Sequence, residues 1–428
     1  MLRYVLCAIA LLGCKDKSAE APKAPPEEPK PAPDKPADPK PNPAPKTQMP
    51  KPAEIEPLVK GSNDFALEIW ARADKGNLAI SPVSIETALA MTWAGAKATT
   101  ADQMKKVLHF EGTPDAIVSQ WALVSHALQQ PDRALKLKMA NRLYAEKSFK
   151  FDTTYFTITR KAFDAPLEMV DFKTAPDDQR KKINQWVADQ TEQRIKDLLP
   201  PPAVTAATRL VIVNAIYFLA DWARPFEKAQ TSDQPFYGTK TKPVPTMHDT
   251  SSYRIAKGEG ASLLELPYKG DSAAMYVMLP DKRTGLAELE HALLAKLKAL
   301  QPKLADARVD VALPKFTIDP PTALALRDPL VALGMKDAFD PEKADFTGIA
   351  APADAKNRIF ISSVLHKAFV KVDEKGTEAA AATAVGMEAG AAPVPATPFV
   401  ADHPFVFFIL DRETGLILFM GRVVDPIP

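Results

Sequence analysis

The stretch that decides the fold reads Val372-Asp-Glu-Lys-Gly-Thr-Glu-Ala-Ala-Ala-Ala-Thr-Ala-Val-Gly-Met-Glu-Ala-Gly-Ala-Ala-Pro-Val-Pro-Ala-Thr-Pro398. It lies between two strand-like segments, about 362–373 and 399–410. Propensity alone makes residues 377–385 a short helix followed by a flexible loop. Period two gives a second reading. Thr377, Ala379, Ala381, Thr383, Val385 and Met387 then share one uncharged face. Glu378, Ala380, Ala382, Ala384, Gly386 and Glu388 share the other, which carries both glutamates. Side chains this small could slip between existing strands with little clash. The segment is therefore compatible with two states, an exposed loop and an inserted strand.

Outward from this stretch, one block of mixed helices and strands runs from residue 58 to 428, with no internal repeat and no second linker. Apolar spacing predicts helices over 61–73, 82–95, 115–130 and 177–199, the last halted by Pro200-Pro201-Pro202. Leu210-Val-Ile-Val-Asn-Ala-Ile-Tyr-Phe218 reads as a buried strand broken by one amide, and 274–279, 309–313, 405–410 and 416–424 also read as strands.

The chain has 428 residues, 41 prolines, only 17 glycines, two cysteines and a net charge of +1. The near-neutral balance argues against a nucleic-acid partner, and two cysteines cannot build a disulfide scaffold. Fourteen of the prolines fall in residues 15–57, which have no aromatic residue and only Thr47 and Ile55 as β-branched residues. Such a segment buries too little to fold and is expected to be a disordered, extended stalk. Ahead of it stand a basic start, a short apolar run from Tyr4 to Leu12, and Gly13-Cys14. The run is too short to span a bilayer and reads as a secretory signal. Leu11-Leu-Gly-Cys14 resembles a bacterial lipobox, which implies a signal peptide ending at the lipobox cysteine, with Cys14 acylated and kept as the new N-terminus. Lys15 in place of aspartate then favours the outer membrane over the inner, so the domain is expected outside the cytoplasm on a lipid anchor.

Enzyme chemistry has little support in the residues. The six histidines, His109, His126, His248, His291, His366 and His403, show no metal-ligand spacing with one another or with cysteine. There is no glycine-rich phosphate loop and no Gly-x-Ser-x-Gly elbow. No metal, cofactor or catalytic residue is expected.

Glu374-Lys-Gly-Thr-Glu-Ala-Ala-Ala-Ala-Thr383 closely resembles the reactive-loop hinge of inhibitory serpins. Further landmarks follow in the family's order over about 60–426. They are Asn77-Leu-Ala-Ile-Ser-Pro-Val-Ser-Ile85, Leu210–Phe218, Trp222-Ala-Arg-Pro-Phe226, Leu264-Glu-Leu-Pro-Tyr-Lys269, Leu313-Pro-Lys315, Ala344-Asp-Phe-Thr-Gly-Ile349, His366-Lys-Ala-Phe369, His403-Pro-Phe405 and Phe419-Met-Gly-Arg-Val-Val-Asp-Pro426.

The resemblance implies an α+β fold with three β-sheets, eight or nine helices and an exposed reactive-centre loop. It also implies a monomeric, suicide-type inhibitor of serine proteases and possibly cysteine proteases. The alternative is a non-inhibitory member acting as a binding protein or protease substrate; the hinge alanines favour inhibition. Carried over residue by residue, the hinge is Glu374, Gly376, Thr377 and Ala379, Ala380, Ala381 and Ala382. A polar cluster controlling sheet opening is Ser81, Ser84, Asn214 and His366. The site where insertion starts is Trp222, Lys315 and Glu374, with Lys315–Glu374 as an ion pair. Sixteen residues past Glu374 lies the expected reactive bond, Gly390–Ala391, with Ala389 and Met387 nearby. Counting back about eleven from Pro404 gives Pro393, a poor bond to cut. Small residues there suit an elastase-like or subtilisin-like protease with a shallow pocket.

Overall fold

The helix Pro52–Trp70 turns Ile55, Leu58, Val59, Phe65, Ala66 and Ile69 toward one buried face, at the spacing of an amphipathic helix. It starts six residues inside the segment read above as stalk (15–57), and this corrects the domain boundary at 58. Proline at the first helical position costs nothing because its missing N–H would be unpaired there. The Glu54 carboxylate accepts the Lys51 backbone N–H at 3.2 Å, and Ile55 anchors the first turn in the core.

The computed structural model describes residues 48–427 apart from Asp74, Asp132, 164–166, 352–357 and 378–394. Within them the order begins α1 (Pro52–Trp70), β1 (Leu78–Ile80), α2 (Pro82–Trp93), α3 (Ala98–Val107), α4 (Pro114–Leu128), β2 (Leu135–Glu146), β3 (Lys150–Phe151), α5 (Thr153–Phe163), β4 (Glu168–Val170), α6 (Pro176–Gln190) and β5 (Leu210–Asp221). It continues with β6 (Ser232–Tyr237), β7 (Thr241–Gly258), β8 (Ala261–Pro267), β9 (Ala273–Pro280), α7 (Leu286–His291), α8 (Leu293–Leu300), β10 (Ala305–Pro314), β11 (Phe316–Ile318), β12 (Leu324–Ala325) and α9 (Arg327–Leu333). It ends with β13 (Ala350–Ala351), β14 (Ile361–Asp373), β15 (Gly376–Thr377), β16 (Thr397–Val400), β17 (Phe405–Asp411) and β18 (Ile417–Val423).

The central sheet has the order β11-β14-β15-β5-β2-β4, with β12 also on β14. A second hydrogen-bonded network runs β1-β18-β17-β9-β8-β7-β10-β16, with β6 on β7. It is two sheets sharing one long strand. The first part of β7 pairs with β6, its middle with β10 from Thr246 to Ile255, and its end with β8 from Arg254 to Gly258. A short β13–β3 pair stands apart. The expected three-sheet α+β fold is therefore present, with nine α-helices among the described residues.

Every residue of α2 is buried, so this helix runs through the main core behind the central sheet. On the sheet's other face a second apolar cluster joins Ile183 and Val187 of α6 to Tyr144, Val211, Val213, Tyr217, Leu365 and Phe369. The helix expected to reach residue 199 stops at Gln190. Glu192 and Gln193 adopt φ of +51° and +63°, which reverses the chain. The Asn184 amide then bonds both the N–H and the carbonyl of Leu199, holding Ile195, Leu198 and Leu199 in the cluster. Amphipathic spacing persisted past the turn, so sequence periodicity did not reveal it.

This cover should be a stability element. Ile183→Ala is expected to cost about 2–5 kcal/mol through lost burial and a residual cavity. Lys182→Ala, on the exposed side of α6, should stay within about 0.5 kcal/mol. Denaturant unfolding of both variants checks this; equal effects would contradict it.

Candidate functional site: the central-sheet seam and its hinge

The central sheet contains one unusual junction. β14 runs parallel to β5 from Ile361 opposite Leu210 to Phe369 opposite Tyr217, in unbroken register from Ser363 opposite Val211 after a shift between Ile361 and Ser363. Above Tyr217 the two strands part, and β15 enters between them. Thr377 lies opposite Val372 of β14 and Ala220 of β5, antiparallel to both. The seam is closed below and wedged open above.

The wedge demands particular residues. A Cβ on Gly376 would lie 2.1 Å from the Ala220 carbonyl oxygen and 2.7 Å from the Asp221 Cα, so only glycine passes. Thr377 is fully buried, and its hydroxyl lies 2.7 Å from the Tyr268 hydroxyl. Tyr268 in turn stacks on Trp222, with centroids 4.7 Å apart and planes 7° off parallel. The helical reading of 377–385 fails at its first residue, because Thr377 is a strand residue; Ala379, Ala380, Ala381 and Ala382 lie outside the described residues, as do Gly390 and Ala391.

The turn before the wedge is gripped by main-chain and charge contacts. Trp222 donates its indole Nε1–H to the Asp373 carbonyl at 3.0 Å. The backbone N–H groups of Trp222 and Phe226 donate to the carbonyls of Lys375 and Glu374. Lys315 Nζ lies 3.0 and 2.9 Å from the two Glu374 oxygens, and Thr231 donates its hydroxyl to Glu374 Oε1 at 2.9 Å. Burial alone would raise the Glu374 carboxyl, but the bonds from Lys315, its own backbone and Thr231 outweigh it and hold the group below its usual range. The three residues named from sequence, Trp222, Lys315 and Glu374, thus meet at one place. Thr231 and Tyr268 were missed, although Tyr268 sits in the quoted Leu264–Lys269 landmark.

Midway along the seam lies a buried polar cluster. His366 faces Asn214, which faces Asn141 on β2, all in register across three strands. The Ser81 backbone N–H donates to His366 Nε2 at 3.0 Å, which leaves the proton on Nδ1 to be donated to the Asn214 carbonyl oxygen. Asn214 Nδ2 donates to Ser84 Oγ at 2.7 Å and to Asn141 Oδ1 at 2.6 Å. Ser84 Oγ donates to Asn141 Oδ1 at 3.1 Å, and Ser81 Oγ caps α2 by accepting the Ser84 N–H. The four residues chosen from sequence come together; Asn141 was missed. Of the hydrogen bonds in this cluster, the one between His366 and Asn214 crosses the seam, and a strand entering there would have to break it.

Burial lowers His366 from 6.5 to about 3. At neutral pH the ring is uncharged in the folded chain and mostly uncharged in the unfolded one. As pH falls below 6.5, the unfolded chain takes up the proton first, so stability declines until the folded ring also protonates near pH 3. Thermal melts should therefore show a steeper loss between pH 6 and 4 for the native sequence than for His366→Gln. Parallel pH profiles would contradict this.

The family model "Serpin (serine protease inhibitor)" matches residues 60–426. Leukocyte elastase inhibitor A of Rattus norvegicus is 40% identical over 387 residues, covering 87% of this chain and 100% of that protein. The native state of the thermophilic serpin tengpin superposes with a TM-score of 0.78 at 29% identity, over 86% of this chain and 94% of that one. Serpin48 of the insect Tenebrio molitor gives 0.76 at 33%, over 87% and 99%. A match that spans the whole domain, on a fold built around this wedged central sheet, places the chain in the serpin family of protease inhibitors.

Proposed function

We propose that the domain is a suicide-type inhibitor of serine proteases. The observation that carries this reading is the position of Gly376–Thr377, already the first rung of a strand between β5 and β14. In the proposed reaction the protease serine oxygen attacks the Gly390 carbonyl carbon. The Gly390–Ala391 bond breaks, an ester forms, and the serine proton passes through the protease base to the Ala391 amine. The freed loop then zips down the seam through the small residues Ala379–Ala382, as in other strand additions, and carries the acylated protease with it. The small side chains about Gly390 favour an elastase-like or subtilisin-like target.

Incubation with such proteases should give an adduct that survives a denaturing gel. Thr377→Arg would place an unpaired guanidinium where the hydroxyl now meets Tyr268, at a cost of several kcal/mol. That variant should be cleaved without trapping. Clean cleavage of the native sequence by every protease would make the protein a substrate instead, and trapping by Thr377→Arg would refute insertion as the mechanism.

We further propose that residues 1–14 are a lipoprotein signal and Cys14 the acylated residue; both lie outside the described residues, as do positions 15–47 of the stalk. The support is the sequence Leu11-Leu-Gly-Cys14 after a short apolar run. A stalk of about 40 residues would hold the inhibitor up to roughly 100 Å from an outer membrane. Metabolic labelling with a fatty acid should mark the native chain and not Cys14→Ser; equal labelling would defeat the assignment.

A further inference from the structure

The strap Trp222–Phe226 has a second face. One side holds the hinge turn; the other lines a cavity of about 250 Å³, bounded opposite by Ser252–Arg254 of β7 and Glu265–Pro267 of β8, with Arg412. That volume is below the ~300–1,000 Å³ of clefts for drug-sized molecules, so a one- or two-ring ligand fits. Trp222, Phe226 and Tyr253 supply buried aromatic wall.

Guanidinium groups supply the rest. Glu265 is almost fully buried, and its oxygens are taken by Arg254 at 2.8 Å and Arg412 at 2.9 Å. Arg254 also donates to the Leu304 carbonyl and Arg412 to Asp271. Each guanidinium has five N–H donors, so both retain donors, and both side chains are partly exposed, 41% and 24%. Arg224, on the strap itself, hydrogen-bonds Ser251 and the Ser252 carbonyl, lies 5.9 Å from the centroid of the Tyr253 ring, and has no carboxylate partner among the described residues. Asp306, the other acidic lining residue, is solvent-exposed, where water and salt screen it. An aromatic floor with pinned guanidiniums at its edge selects a flat ring bearing one anionic group.

We propose that this cavity is a binding site for small aromatic carboxylates, with Arg224 the ligand's principal charge partner. Such a ligand bridges the strap to the β7–β8 hairpin and stiffens the backbone that grips the hinge. The site stands whether or not the chain traps a protease.

Calorimetric titration of the full chain with 2-naphthoate, and with uncharged 2-naphthalenemethanol, tests it. One saturable site is expected, with the carboxylate bound at least about tenfold more tightly. Arg224→Ala should lose about tenfold and Arg224→Glu should lose binding, with thermal melts unchanged because the side chain is exposed. Bound naphthoate should also slow hydrogen exchange of the Trp222 and Phe226 amides. No saturable binding, equal affinity for the two compounds, or undiminished binding to Arg224→Ala would each overturn the proposal. The two-compound comparison needs no variant, so it decides even if Arg224→Ala misfolds.

Discussion

The parallel contact of β14 with β5 is the constraint on which the rest of the structure depends. Parallel ladders have slanted hydrogen bonds and are slightly less stable per residue than antiparallel ones. β15 is antiparallel to both neighbours. If the chain beyond Thr377 continued along that line, one parallel interface would be exchanged for two antiparallel ones, with new apolar burial on the uncharged face. Each net hydrogen bond is worth about 0.5–1.5 kcal/mol, and the exchange adds a whole ladder. In the proposed mechanism the uncut loop is held back because the chain re-enters the fold at β16, which pairs with β10 in another sheet.

The side chains about the seam divide the work of holding and releasing it. The His366–Asn214 bond ties the strands together midway, while Asn141 and Ser84 hold Asn214 from β2 and α2. At the point where the strands part, Tyr217 and Phe369 pack as a ring pair 6.3 Å apart under the cover of α6, and in the proposed insertion they would be the next rung to separate. Above them Trp222, Tyr268, Lys315 and Glu374 hold the hinge turn so that Thr377 stays seated. A neutral histidine suits this role, since a charged one at that depth would oppose closure of the sheet.

Much of this was legible in the sequence, and the gaps have physical causes. Of the alternating faces read after Gly376, Thr377 alone lies among the described residues, where it is a strand residue, and the family landmarks located Ser81, Ser84, Asn214, His366, Trp222, Lys315 and Glu374, which the fold brings into two clusters. Asn141 carried no signal, being a single amide in an alternating strand whose partner is 73 residues away. Thr231 and Tyr268 meet the hinge only through tertiary contacts. The segment expected to be a stalk was drawn too long because composition cannot distinguish a free proline from one that opens a helix, as Pro52 does. The length of α6 was overdrawn because the left-handed pair Glu192–Gln193 contains neither glycine nor asparagine.

We propose that the native sheet, with its parallel seam, is metastable toward an inserted strand. Cutting the loop at a single bond and comparing thermal unfolding before and after tests this most directly, since no target protease need be identified. The cleaved protein should melt far above the intact one, by tens of degrees, because the freed segment completes the sheet. A melting temperature equal to or below that of the uncut chain would contradict the account.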